Sequence, residues 1–310
     1  MPLHPKIRSA LQAAEGQPPL ETQPIAEARA QAKASYAPTV PVPVGAVEDI
    51  VLPGGHGGIR ARLYTPAGTG PFPLLVFFHG SGFVLLDLDT HDAICRRLCD
   101  GAACMVVSVD YRLAPEHRFP AAPDDCLAAT RWTAAHALAL GGDAARIAVA
   151  GDSAGGGLAA VTALRIRDEG GPRLCGQLLF YPVTDFPEPL TSTHEAFATG
   201  YGLTLNMLRW FWSHYLLDPS LADDPRASPL RADSFADLPP ALVLTAEYDV
   251  LRDEGERYVE CLRNAGVDAQ LQRCEGMNHG FLKFVGIIDE SSARMDQAST
   301  WLRSIYSATR

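Results

Sequence analysis

Between Arg146 and Arg165 the chain reads "RIAVAGDSAGGGLAAVTALR", an apolar β-type run that passes into an alanine- and leucine-rich helical run with almost no loop between them. Going from strand to helix through Gly151, Asp152, Ser153, Ala154 and Gly155 demands a tight turn, which small side chains permit. Strands are predicted at 73–78, 104–109, 146–151, 176–181, 241–246 and 269–274, with helical patterns near 90–101, 122–140, 155–169, 253–265 and 287–305. Near-continuously apolar strands alternating with helices specify an α/β chain, its mostly parallel central sheet covered by helices on both faces. Ahead of them, "AVEDIVLPGGHGGIRARLYTP" predicts an antiparallel hairpin at the sheet edge, with His56 exposed in its turn.

Two segments break the alternation. Residues 1–45 hold two short helical patterns and the connector "APTVPVPVG", and residues 186–230 insert "THEAFATGYGLTLNMLRWFWSHYLL" between strands. Together they are expected to form a helical cap over a core made of residues 46–185 and 231–310. A chain of 310 residues suffices for one large α/β domain. With 26 Lys and Arg against 36 Asp and Glu, it lacks the basic surface that nucleic acid requires. Its apolar runs are too short to span a bilayer, and the first residues lack the apolar stretch of a secretory leader, so a cytoplasmic protein is expected. The seven cysteines are odd in number and scattered through apolar segments, which suits buried thiols in a reducing compartment. Cys95 and Cys99 share an i,i+4 spacing, but no second ligand pair accompanies them, and neither a metal nor a cofactor is expected. A second copy of the chain is a candidate partner.

Gly151 to Gly155 match G-x-S-x-G at a strand-to-helix turn, an arrangement that pushes the Ser153 hydroxyl into the open above a sheet. The helix that follows aims its N-terminal N–H groups at the point where negative charge would develop. A serine hydroxyl is a weak nucleophile until a histidine takes its proton and an acid orients that histidine. In this arrangement the chain order is serine, acid, histidine. Only His194, His214 and His279 follow Ser153, and the first two fall in the aromatic insert with no strand ahead of them. His279, in "EGMNHGF" just after a strand, is therefore the expected base. For the acid, Asp249 in "EYDVLRDEG" is preferred to Glu247, closer to the strand proper, and to Asp253, already in the next helix. "FFHGSGF" ends an earlier strand and offers the backbone N–H groups of Gly80 and Ser81, with that of Ala154, as an oxyanion hole. Phe83, Trp210, Phe211 and Trp212 are the candidates for contacting substrate, although an aromatic stripe is more often core than binding surface.

"HGSGF", "DYRLAPEHRFPAAPDD", "GDSAGG", "AEYDVLRDEG" and "MNHGF", in this order, resemble the hormone-sensitive-lipase branch of the α/β-hydrolases, the bacterial carboxylesterases in particular, over roughly residues 70–285. The resemblance implies an α/β-hydrolase fold with a small helical cap and short-chain acyl esters as preferred substrates. It assigns catalysis to Ser153, Asp249 and His279, and oxyanion binding to Gly80, Ser81 and Ala154. One departure stands out: the family usually writes H-G-G-G, and here Ser81 replaces the second glycine, restricting the backbone and adding a hydroxyl near the oxyanion. Asp110, Arg112 and Glu116 of "DYRLAPEH" are expected to support that loop without taking part in the chemistry. The expected function is hydrolysis of short-to-medium-chain carboxylic esters through a serine acyl-enzyme. An amidase or peptidase on the same triad and a non-catalytic small-molecule receptor are the alternatives. His279 argues against the receptor, which has no use for a base opposite the serine.

Overall fold

The computed structural model describes residues 1–36, 40–54 and 57–309, and His56 lies outside them. Among these residues β1 (Ala46–Leu52), β2 (Ile59–Thr65), β3 (Phe72–Phe78), β4 (Met105–Asp110), β5 (Gly142–Asp152), β6 (Leu174–Phe180), β7 (Ala241–Tyr248) and β8 (Ala269–Asn278) form one sheet. Their order is β1-β2-β4-β3-β5-β6-β7-β8. β1 and β2 form an antiparallel hairpin, and β2 also runs antiparallel to β4. Every pairing from β4 to β8 is parallel.

The two-residue period of the strands decides which face each side chain serves. Leu74, Val76 and Phe78 of β3 join the core that packs on α4 (Ala121–Ala135), α6 (Ala154–Glu169) and α9 (Arg252–Asn264). Leu75 and Phe77 point the other way, onto α3 (Asp92–Ala102) and α10 (Asp289–Ala308). Cys95 and Cys99 of α3 lie inside this second core, and burial pushes the Cys99 thiol up to about 12.

Two expectations change in detail. The helical pattern of 122–140 breaks at His136 (φ −108°, ψ 7°) into α4 and the short α5 (Ala137–Leu140). The His136 ring reaches back to the Trp132 carbonyl at 2.9 Å, and Gly141 ends α5 at φ +85°. β8 runs past residue 274 to Asn278, where it still pairs with Tyr248, so His279 follows the strand directly.

The two segments outside the alternation meet one another. The first carries α1 (Pro5–Ala13) and α2 (Ile25–Ala34); the second, between β6 and β7, carries α7 (Ser192–Ala196) and α8 (Leu205–Tyr215). Ala28 and Ala32 of α2 pack with Phe211 of α8 and with Val84, Leu85 and Ala114 of the core. No helix among the described residues is long and apolar enough to cross a membrane.

Glu254 of α9 ties the second segment to the core from beneath. Its Oε1 accepts the N–H groups of Thr184 (2.7 Å) and Asp185 (3.2 Å) where the chain leaves β6, and its Oε2 lies 3.7 Å from His194 Nε2. His194 Nδ1 accepts the Thr191 N–H, which places the proton of the neutral imidazole on Nε2, facing the carboxyl group. Burial pushes Glu254 well above its ordinary value of 4.5 and lowers His194, favouring the neutral form of each. A carboxyl group raised by folding binds a proton as the chain folds. Its stability contribution is complete below 4.5 and is lost as pH climbs toward the folded-state value. Glu254→Gln keeps the Oε1 acceptor and removes the titration. This variant is expected to match or exceed the parent in stability above neutrality and to lose the parent's decline with rising pH, as read by urea denaturation from about pH 5 to about pH 9.

Candidate active site

β5 ends at Asp152 and α6 starts at Ala154, so Ser153 makes the turn alone at φ +54°, ψ −122°. A side chain in that region of backbone space costs on the order of 1–3 kcal/mol and persists only where its surroundings enforce it. Here the Ser153 N–H donates to the Phe180 carbonyl (2.8 Å), and the Ser153 carbonyl accepts from Gly157 (3.1 Å) and Val183 (3.0 Å). The glycines have no substitute: a Cβ on Gly151 would collide with the Gly155 carbonyl, one on Gly155 with that of Phe78, and one on Gly157 with that of Val183. This crowding explains a helix whose first turn holds Gly155, Gly156 and Gly157, all poor helix formers.

The turn presents the Ser153 hydroxyl to His279 Nε2 at 2.9 Å, and His279 Nδ1 meets Asp249 Oδ2 at 2.7 Å. With the Nδ1–H donating to the Asp249 carboxylate, Nε2 carries the lone pair and accepts from the serine. Asp249 is 1% exposed, and its other oxygen accepts the Leu251 N–H at 3.0 Å, so the carboxylate cannot swing away. The competing acids are engaged elsewhere. Glu247 accepts the Gly276 N–H at 2.6 Å, and Asp253 accepts from the Ser192 hydroxyl and the Thr193 N–H. Of the other two histidines, His194 is buried within α7 and His214 stands edge-on to Trp210.

The loop after β3 corrects one expectation. The Gly80 N–H is spent on Asp152 Oδ1 at 2.7 Å and is not free to receive an oxyanion. The next two N–H groups, of Ser81 and Gly82, meet no acceptor among the described residues, nor does that of Ala154. In a trans peptide the N–H points opposite its carbonyl, and the relevant carbonyls are fixed. Gly80 C=O faces His79 Nδ1 at 3.3 Å, and Ser81 C=O accepts from Val84 (3.1 Å) and Leu85 (2.9 Å). Not Gly80 but Gly82 thus supplies the free N–H beside that of Ser81. Its φ of +56° and the Phe211 ring pressed where its Cβ would stand require glycine.

Asp152 is buried, and burial alone would push its carboxyl group up; His91, whose Nε2 lies 3.1 Å away, and the Gly80 N–H outweigh that and hold it below the usual range. His79 is pushed down to about 4 by burial and by the facing His91, so its ring is neutral. Tyr181 stands edge-on to His279 with ring centres 4.9 Å apart, and its hydroxyl lies 3.5 Å from Asp152. His91, Asp152 and Tyr181 were not singled out from the sequence, where only their nearness to motif residues could have marked them.

Phe83 stacks on Tyr215 at 3.9 Å between ring centres and tilts against Trp212, and all three are buried. Phe211 packs against α2, whereas Trp210 stays half-exposed. Asp110 pairs with Arg60 and Arg112 with Asp125. Glu116 is gripped by Arg29 of α2 at 2.8 and 2.7 Å, and the same guanidinium donates to Val84 O and Ala114 O.

The pattern of the family described as alpha/beta hydrolase fold matches residues 75–283. A carboxylic ester hydrolase of Mycobacterium tuberculosis, LipN, is 46% identical over 264 residues, which cover 83% of this chain and 70% of LipN. An ethyl acetate hydrolase of Pseudomonas putida is 41% identical over 239 residues, 75% of this chain and 74% of the relative. Among solved structures, a hyperthermophilic esterase of Pyrobaculum calidifontis superposes with a TM-score of 0.94 at 42% identity, covering 100% of both chains.

The burial of these aromatic side chains separates their expected roles. Trp212→Ala, in the core at 2% exposure, is expected to cost about 3–5 kcal/mol in urea denaturation, and Trp210→Ala clearly less.

Proposed function

From a chain that belongs to the alpha/beta hydrolase family, on its hormone-sensitive-lipase branch, and is a serine carboxylesterase, we propose that ester hydrolysis runs through an acyl-enzyme on Ser153 with His279 as base and Asp249 as its orienting acid. The observation that carries this reading is the unbroken hydrogen-bonded line from Asp249 through His279 to Ser153. Ser153 Oγ attacks the ester carbonyl carbon as its proton passes to His279 Nε2. The carbonyl oxygen becomes an oxyanion and accepts from the N–H groups of Ser81, Gly82 and Ala154, aided by the positive end of α6. His279 returns the proton to the departing alkoxide, and the alcohol leaves. Water then attacks the acyl-enzyme, giving its proton to His279, and the acid and free Ser153 are released. Asp249 stays ionised throughout and stabilises the imidazolium.

We assign the cap to residues 1–45 and 186–230, because the parts of both segments described above pack over the loop that carries Ser81 and Gly82. A cap bounds the acyl pocket, and each buried methylene contributes about 0.8 kcal/mol only until the pocket is full. This favours short-to-medium acyl chains, in keeping with the ethyl acetate hydrolase among the relatives. Phe211, beside Gly82, and half-exposed Trp210 are the better placed of the four aromatic candidates for acyl contact, with Phe83 and Trp212 behind them.

Ser153→Ala is expected to fold and to lose at least about three orders of magnitude in kcat, and an organophosphate should add covalently to Ser153 in the parent. Labelling of another serine would refute the assignment. Along a series of p-nitrophenyl esters, kcat/KM should rise from acetate toward butyrate or hexanoate and then fall. Uninterrupted growth through dodecanoate would point to an open lipid-facing cleft instead. Trp210→Ala or Phe211→Ala should shift the optimum to longer chains if that ring bounds the pocket.

A further inference from the structure

Ser81 brings a side chain into the middle of the "HGSG" loop, and the structure shows where its hydroxyl goes. Tyr111, buried at the end of β4, donates its single proton to the His79 carbonyl at 2.7 Å. The 2.6 Å contact between Ser81 Oγ and the Tyr111 oxygen therefore has Ser81 as donor. Ser81 Oγ in turn accepts the Phe83 N–H at 2.8 Å. One chain of hydrogen bonds thus runs from Phe83 N–H through Ser81 and Tyr111 to His79 C=O, spanning the two free N–H groups. At the far end, the His79–Gly80 peptide is held at both poles, its carbonyl by Tyr111 and its N–H by Asp152. At the near end, Phe83 sits at φ +65°, a costly conformation for a residue with a Cβ, pinned by Ser81 at its N–H and by Ala114 at its carbonyl.

We infer that the Ser81 hydroxyl is a positioning group for the oxyanion hole: with Tyr111 it locks the loop so that the N–H groups of Ser81 and Gly82 converge on the developing oxyanion. The inference rests on the acyl-enzyme reading above, in which those N–H groups are the donors. The hydroxyl points to Tyr111 and not to the oxyanion, so it adds no donor of its own. It takes over the restraint that a glycine would leave to the neighbouring structure. Burial keeps the Tyr111 hydroxyl well above its ordinary value of 10, so the chain of bonds survives across the working pH range.

Donors that are preorganised act on the transition state and not on substrate binding. In Ser81→Ala and in Tyr111→Phe, kcat for p-nitrophenyl butyrate should fall about ten- to a hundredfold, with KM unchanged within about twofold. The double variant should be no slower than the worse single one, since each cuts the same chain. Affinity for an alkylboronic acid, whose tetrahedral adduct on Ser153 places an oxygen in the hole, should fall in parallel with kcat. Organophosphate titration of Ser153 normalises every rate to folded enzyme. If Ser81→Ala does not fold, Tyr111→Phe reads the same chain from its other end and keeps the His79 stacking. Unchanged kcat, a loss confined to KM, or strictly multiplying losses in the double variant would reduce Ser81 and Tyr111 to packing and overturn the inference. Ser153→Ala in the same series tests the underlying mechanism separately: if it stays active, the acyl-enzyme reading fails; if it is inactive while Ser81→Ala is not, only the role of Ser81 fails.

Discussion

The backbone of Gly155 lies against the carbonyl of Phe78 with no space for a side chain between them, and the arrangement of the centre follows from that approach. It draws the first turn of α6 onto the end of β3, so the loop that continues β3 arrives beside the Ser153 turn. Two strands adjacent in the sheet, β3 and β5, thus deliver the Ser153 hydroxyl and two of the three free N–H groups to one spot. The third, from Ala154, belongs to the helix itself. β7 and β8, neighbours at the other side of the sheet, deliver Asp249 and His279 from their carboxyl ends, where parallel strands gather their functional loops. The strain at Ser153 is sustained because strand, helix and the segment after β6 all hydrogen-bond to its backbone.

Beneath this centre lies a buried carboxylate, and it has a defined task. A buried charge without partners is costly, and Asp152 is met by the Gly80 N–H, by His91 and at greater distance by Tyr181. Its negative charge takes up the Gly80 N–H, and by holding that group back it leaves the N–H groups of Ser81 and Gly82 as the free pair of the loop. His79, neutral and stacked on Tyr111, fills the space behind the loop and adds no positive charge.

The parallel sheet, its two helical faces and the edge hairpin were legible because each rests on local periodicity that one stretch of sequence carries alone. Ser153, Asp249 and His279 could be selected because the chemistry restricts their order and because strand ends could be located. The oxyanion loop shows where such reasoning stops. Which N–H of "HGSG" is free depends on a side chain seventy-odd residues away, Asp152, and on the direction in which it points. The hydroxyl of Ser81 likewise turns toward Tyr111, a partner from another strand that no spacing rule announces. The break at His136 was hidden for a related reason, since a histidine that bonds back to its own helix is common in unbroken helices too.

Arg29 gives the cap a second meaning. Its guanidinium binds Glu116 and the carbonyls of Val84 and Ala114, so one side chain of α2 reaches both the segment that follows the oxyanion loop and the loop that supports it. Val84 N–H in turn bonds to the Ser81 carbonyl, the far pole of the peptide whose N–H belongs to Gly82. One arginine of α2 is thus tied through Val84 to the loop that carries the free N–H groups of Ser81 and Gly82. Exchanging α2 for the equivalent helix of a relative would also remove the guanidinium that holds Val84 and Ala114. On the mechanism proposed above, selectivity and turnover would not be separable traits for recombination, and a graft across that seam would have to carry Arg29 and Glu116 together.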